Sequence, residues 1–275
     1  MKKIGFIDYY LSEWHANNYP AWIDKVCEKL GLDYKVCYAY GELEVSPVDS
    51  VTGAQWCEKF GIEKCESIEE VCEKSDVLLI LCPSNPEKHL EYAKKVLPYG
   101  KRTYIDKTFT PSFKQAQEIF ELGEKYGTQF FSTSALRYAK ELSDFSVLGK
   151  NKVFFISGCG SSFEEYSVHQ VEMLIKLTNS KCTKVEATKQ NGDKTMFCTV
   201  YFENGDIGNL VYAPTLPFMV SGQDETKPGL TRTIASGYFD GLIEDIVNFY
   251  ETGNLSFEAW QTLECMKIRE MLLNA

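Results

Sequence analysis

Residues 76–82, read as "DVLLILC", are apolar at every position after the first. A strand with one wet face alternates polar and apolar residues, whereas an unbroken apolar run bounded by turn signals suits a strand covered on both faces. Helical patterns flank this run, "SIEEVCEKS" before it and "PEKHLEYAKKVLPYG" after it. The same alternation fills the first half of the chain. "KIGFID" is followed by "YPAWIDKVCEKLG", which ends at Gly31; then come "YKVCYAY", "GAQWCEKFG", "RTYID", "SFKQAQEIFELGEKYG" and "TQFFST". Ser67 and Ser112 stand where helix N-caps belong. Strand–helix–strand repeats require right-handed crossovers, so strands near 4–8, 35–40, 77–82, 102–106 and 129–132 are predicted to form one parallel, doubly wound sheet.

The pattern changes after about residue 135. "KVFFISGCG", "CTKVEATKQ", "TMFCTVYFENGDIGNLVYAP" and "LTRTIASG" are strand-like and follow one another with a single helix, "SFEEYSVHQVEMLIKLT", among them. Asn204-Gly205 is a strong hairpin turn signal. Consecutive strands predict a largely antiparallel sheet. A chain of 275 residues suits two domains, here 1–134 and 135–275.

Charge and composition exclude several partners. The net charge is −10 and no basic run occurs, so nucleic acid and anionic membranes would be repelled. No apolar run is long enough to span a bilayer. Met1-Lys2-Lys3 leads straight into a strand-like segment rather than an apolar leader, which predicts a cytoplasmic protein. The ten cysteines include no Cys-x-x-Cys pair and are expected to be reduced. With three histidines, a histidine-rich metal site is not expected. A Glu165–His169–Glu172 set at helical spacing is the one mixed site conceivable, and the expectation is no metal.

In an open parallel sheet, ligands bind beyond the carboxyl ends of the strands. "DYYLSEW", "YGELE", "CPSNPEKH" and "DKTFTPS" lie there. Residues 76–127 resemble the Gfo/Idh/MocA oxidoreductase family: a strand ending in a Thr-Pro-type loop, a helix starting near a histidine, then a strand ending in Glu-Lys-Pro. "FEEYSVHQVEMLIKL" is similar to that family's second-domain helix. The resemblance implies a Rossmann-like doubly wound parallel sheet followed by an α+β domain with a largely antiparallel open sheet. It implies an NAD or NADP cofactor and hydride transfer at a C–OH group of a sugar, cyclitol or similar polyol. Carried over by position, Lys107 is the catalytic lysine, His169 the acid/base histidine, and Glu165 the helix acid that orients it. On the cofactor side stand Ile7, Asp8 and Tyr9, Tyr40 at the end of the second strand, Pro83, Asn85 and His89, and Asp106. A homo-oligomer through the second-domain sheet is expected.

The departures bear on the chemistry. Asp106-Lys107-Thr108 replaces Glu-Lys-Pro, and without proline a trans peptide is expected there. The glycine-rich phosphate loop is absent; Tyr9, Tyr10 and Trp14 are bulky, and Asp8 and Glu13 are anionic. Tyr40 replaces the acid that would take the ribose hydroxyls, with Glu42 close by. Two outcomes follow. Either a nucleotide still binds, or the loop closes the site with its own aromatics, leaving a small-ligand binding or regulatory protein. A lyase or hydrolase using the same lysine and histidine is a third reading. "SGCGSS" (157–162) reads as a substrate-side turn, since Glu164 and Glu165 would repel phosphate. Arg137 and Tyr138 in "TSALRY" would bind ligand or fasten the domains.

Overall fold

The structure, a computed structural model, describes residues 1–192 and 194–275. The chain divides into two units: Met1–Thr133 with Ile243–Phe257, and Ser134–Leu242 with Glu258–Ala275.

In the first unit the elements alternate as the apolar runs require. They are β1 (Lys2–Asp8), α1 (Trp14–Leu30), β2 (Tyr34–Gly41), α2 (Gly53–Phe60), β3 (Glu63–Lys64), α3 (Ile68–Lys74), β4 (Val77–Ile80), α4 (His89–Val96), β5 (Thr103–Ile105), α5 (Phe113–Tyr126) and β6 (Phe130–Phe131). All pairings are parallel and the sheet order is β3-β2-β1-β4-β5-β6. The chain therefore reverses its direction of travel between β1 and β4, which is where a doubly wound sheet opens a crevice. Val77–Ile80 is buried along its whole length, as an unbroken apolar run demands. Ser67 and Ser112 cap α3 and α5.

Two expectations are corrected here. The pattern "YPAWIDKVCEKLG" places the first helix from about Tyr19, with Pro20 at its start, yet α1 begins at Trp14 and carries Pro20 inside it. Position in the chain places residues 243–257 with the second domain, but they pack into the first unit. Tyr250 donates its hydroxyl to the Leu78 carbonyl at 2.7 Å, and Phe249 meets Phe131 edge-on at 5.0 Å.

The second unit is built on β7 (Val153–Gly158), α6 (Phe163–Thr178), β8 (Cys182–Gln190), β9 (Thr195–Phe202), β10 (Ile207–Tyr212), β11 (Met219–Gln223) and β12 (Leu230–Thr233). Helix α7 (Tyr238–Thr252) holds the point of division after Leu242, and α8 (Trp260–Leu273) packs on α6. The sheet order is β12-β11-β7-β10-β9-β8, antiparallel except for β7 with β10. Asn204-Gly205 makes the predicted turn between β9 and β10, with Gly205 at φ 86°. One face is covered by α6, whose Leu174 lies against Gly208. On the other face Phe155 and Phe197 are 38% and 43% exposed. Among the described residues no helix is long and apolar enough to cross a membrane.

Candidate functional site

At the crevice, the loop after β1 leads into the N-terminus of α1. Glu13 is the N-cap, in extended conformation, and its carboxylate accepts from the His15 and Ala16 backbone N–H groups. Those are the amides a helix start offers to an anion, and they carry the positive end of the helix dipole. The loop is sealed from outside: Ser12 Oγ donates to Asp49 at 2.7 Å, Ser46 Oγ to the Ser12 carbonyl at 2.9 Å, and Leu11, Ser12 and Glu13 are buried. Of the two outcomes expected for this loop, closure by its own aromatics is corrected in one respect: the group on the helix amides is not a ring. Trp14 is 55% exposed and packs edge-on against Trp22, while Tyr9 and Tyr10 are half-buried. A carboxylate closes the helix, because a buried N-terminus needs an acceptor for its N–H groups and a ring supplies none.

Two more acids stand beside Glu13. Asp8 is buried at the end of β1; its Oδ1 accepts from the Tyr9 and Cys82 N–H groups at 2.7 and 3.1 Å, and its Oδ2 has no hydrogen-bond partner among the described residues. Burial pushes the Asp8 carboxyl well above its usual range, and the Glu13 charge adds to the shift. Burial also raises Glu13, against the opposing pull of His15 and the helix amides. Asp106, after β5, behaves differently. Burial opposes its charge, yet His15 and then Lys107 hold its carboxyl below the usual range. Its Oδ2 pairs with His15 Nδ1, and its Oδ1 lies 3.1 Å from the Tyr104 hydroxyl and 2.8 Å from the Lys107 N–H. The His15 ring stacks on Tyr19 at 5.3 Å.

Lys107 projects from the end of β5, where its Nζ donates to the Pro83 carbonyl at 3.2 Å. The Lys107–Thr108 peptide is cis, contrary to the expectation from the missing proline. The surroundings override the local preference: Asp106, Thr108 and Phe109 are all buried and fixed on both sides of the bond.

The remaining cofactor-side residues divide. Ile7 is a core strand residue and Tyr40 is half-buried. The acid at the end of β2 is Glu42, and it is engaged, accepting from Lys88 Nζ at 2.6 Å and the Tyr92 hydroxyl at 2.7 Å. Lys88 also lies 5.1 Å over the Tyr9 ring. Asn85 donates to Glu87 at 2.9 Å. His89 reaches no solvent; its ring nitrogens lie 2.8 Å from the Phe109 carbonyl and 2.5 Å from that of Leu81, so it fastens the loop rather than facing a ligand.

The pyrophosphate of a nicotinamide dinucleotide does not fit this terminus. It would have to displace Glu13 from the α1 amides and lie among Asp8, Glu13 and Asp106, with no glycine to let the backbone approach it.

In the second unit, His169 Nδ1 pairs with Ser134 Oγ at 2.6 Å, and the ring meets Tyr166 and Phe218 edge-on at 5.5 and 5.8 Å. Glu165, expected to orient it, accepts from Ser161 Oγ at 2.7 Å. Glu172 forms a buried ion pair with Arg137 at 2.9 Å, which takes it from the conceivable metal set and makes Arg137 a structural tie. Among the described residues no group of His, Cys, Asp or Glu is arranged to hold a metal ion.

Sequence reasoning missed Glu13 as a cap and His15 altogether. Glutamate is outside the usual N-cap set, and the partner of His15 lies 91 residues away. The available signal was "SEWHA" just ahead of a helix, with a buried-strand acid in "YID" to receive the imidazole.

Residues 44–134 match the family described as "Oxidoreductase family, NAD-binding Rossmann fold", Gfo/Idh/MocA. A 60-residue stretch is 38% identical to the uncharacterized oxidoreductase YhhX of Escherichia coli K12, spanning 22% of this chain and 17% of that protein. Among solved structures, a probable dehydrogenase from Thermotoga maritima has a TM-score of 0.81 at 12% identity, over 99% of this chain and 97% of that one. UDP-N-acetylglucosamine 3-dehydrogenase GnnA from Acidithiobacillus ferrooxidans has a TM-score of 0.77 at 11% identity, over 98% and 96%. At such identities the likeness is one of fold. The family match covers residues 44–134, and the likeness of fold to these dehydrogenases runs over almost the whole chain.

Proposed function

We propose that this chain binds a small sugar-like or polyol ligand on an oxidoreductase fold, without a nicotinamide dinucleotide seated on α1. The observation that carries the reading is Glu13, whose carboxylate already takes the amides that a pyrophosphate would need. Lys107, buried at the end of β5, is the group proposed to hold a ligand oxygen, since a partly desolvated ammonium donates strongly to a hydroxyl. His169 of the second unit is proposed as a proton carrier, set by Ser134 on one ring nitrogen, with Glu165 one helical turn away. The name of GnnA, a UDP-sugar dehydrogenase, supports the ligand class.

Fluorescence titration with NADH and NADPH tests this. Binding no tighter than about millimolar, about −4 kcal/mol, is expected. A micromolar dissociation constant for either overturns it. A saturable thermal shift with a sugar or polyol, lost in Lys107→Met, is expected alongside.

A second reading, an NAD(P)-dependent oxidoreductase acting on a C–OH group, is favoured by the family match and by Lys107 at the family's position. It requires Glu13 to leave the helix. The exposed sheet face carrying Phe155 and Phe197 is proposed to bury against a second copy, and the chain to act in the cytoplasm; sedimentation of the intact protein tests the first.

A further inference from the structure

We propose that the second unit binds a small apolar carboxylate in a cavity of about 360 Å³ at the end of its sheet, where α6 begins and α8 ends. The cavity shares no residue with the crevice described above, and the proposal stands apart from that reading.

Strand register builds its floor. Lys189 of β8 lies opposite Met196 of β9, and Met196 lies opposite Tyr212 of β10, so the three side chains stand in one row on one face of the sheet. Along β8 the same face carries Val185 and Ala187, opposite the buried Val200 and Cys198. Lys189 thus takes the last place in a row that is otherwise apolar and faces the core. Phe163, the first residue of α6, meets the Tyr212 ring edge-on at 5.5 Å, and Leu273, the last of α8, adds to the wall. Met196 is unbranched and adapts to irregular shapes. The Tyr212 hydroxyl already donates to the Gly160 carbonyl at 2.7 Å, so Tyr212 offers a ligand its ring.

The rim carries charge. Lys194 stands two residues before Met196 and lines the same cavity as Lys189. Among the described residues neither ammonium has a hydrogen bond or an ion pair. Glu164 is the one acid among the described lining residues, and Arg269 draws on it: the Glu164 carbonyl accepts from Nε and Nη2 at 3.0 and 2.8 Å, and its carboxylate lies 3.9 Å from that guanidinium. Two cations over an apolar floor make a positive place on a chain of net charge −10. A lysine can lay its stem over apolar surface merely to cover it. Here the stems leave the cavity open, at the small end of the range for ligand sites, about 300–1,000 Å³. An apolar body displaces water from the floor, and an anionic head meets the two ammonium groups. A bare inorganic anion leaves the floor wet, and a neutral apolar molecule leaves the lysines unused.

The test titrates octanoate and its neutral counterpart 1-octanol into the intact protein carrying 13C at the methionine methyls. Proton–carbon NMR follows Met196, assigned through Met196→Leu. Octanoate is expected to shift the Met196 methyl saturably, with a dissociation constant tighter than about 1 mM. The double variant Lys189→Ala, Lys194→Ala is expected to bind octanoate about tenfold more weakly, the loss of two exposed ion pairs, and to bind octanol as wild type does. Raising the ionic strength from about 0.01 to about 0.1 M, which shortens the screening length from about 30 to about 10 Å, is expected to weaken octanoate and not octanol on wild type. A Met196 methyl that octanoate leaves unmoved overturns the proposal, even if other methionine methyls shift. So does a double variant with wild-type affinity for octanoate. An equal salt response for the two ligands on wild type overturns it too, whether or not the variant folds.

Discussion

Two helices in this molecule begin after a strand and a short loop, and they solve their first turn differently. In the first unit α1 starts under a buried loop of bulky residues, and an internal carboxylate, Glu13, takes its amides. In the second unit α6 starts after "SGCGSS" at the surface, and Ser162 Oγ accepts from the Glu165 N–H at 3.2 Å. The glycine-bearing loop looks more like a phosphate cradle on paper. Its second glycine does other work: Gly160 has φ 151°, and a Cβ there would run into the Tyr166 ring, while the Tyr212 hydroxyl donates to its carbonyl at 2.7 Å. A glycine between strand and helix therefore signals close approach of something, and here it is a neighbouring ring. An exposed terminus manages with a hydroxyl and water. At the buried terminus the acceptor is a carboxylate, and on the reading proposed above it stands where such folds hold a phosphate.

The comparison can be broken from either side. The largest expected effect is at Gly160. Replacement by alanine overpacks the Tyr166 ring at a positive φ and should cost about 3 kcal/mol in denaturant unfolding. An unchanged midpoint would mean that the loop yields freely. Next is Glu13→Ala, expected to cost about 2 kcal/mol, the upper end for a lost cap, because the amides it leaves are buried. Inorganic phosphate should restore part of that in the variant's melting temperature and do nothing for wild type. No phosphate response would show that the vacated terminus stays closed.

A smaller effect, opposite in sign, is expected at Asp8. Its carboxyl titrates higher folded than unfolded, so the folded state holds the extra proton. Stability falls as pH rises from about 4, the unfolded value, toward the raised folded one. Asp8→Asn keeps an acceptor for Tyr9 and Cys82 and removes the titration, so its stability relative to wild type should rise between pH 5 and pH 8. A pH-independent difference sinks this assignment. Smallest is Ser162→Ala, at about 1 kcal/mol by the same denaturation, since water can replace an exposed cap.

Much of the fold was legible because its cause is local. The "DVLLILC" run can be satisfied only between covered faces, and "ENGD" turns the chain by itself. The crevice residues Asp8, Lys107 and Asp106 were legible as strand ends. What escaped is set by distant partners. His15 is defined by Asp106, Glu42 by Lys88 and Tyr92, and the cis bond after Lys107 by packing on both sides. The start of α1 escaped because Pro20 reads as a first-turn residue, and only the tertiary seat of Glu13 shows that the helix is already under way.

The return of residues 243–257 to the first unit sets an order of manufacture. Ile246 and Val247 are fully buried, and Tyr250 closes onto β4. A nascent chain that has emerged only as far as residue 134 has every strand of the parallel sheet and still lacks the helix that covers part of it. Domains made in sequence usually fold in sequence; here the first must wait for the second to be synthesised, and no single cut between residues 133 and 134 releases a complete parallel-sheet unit.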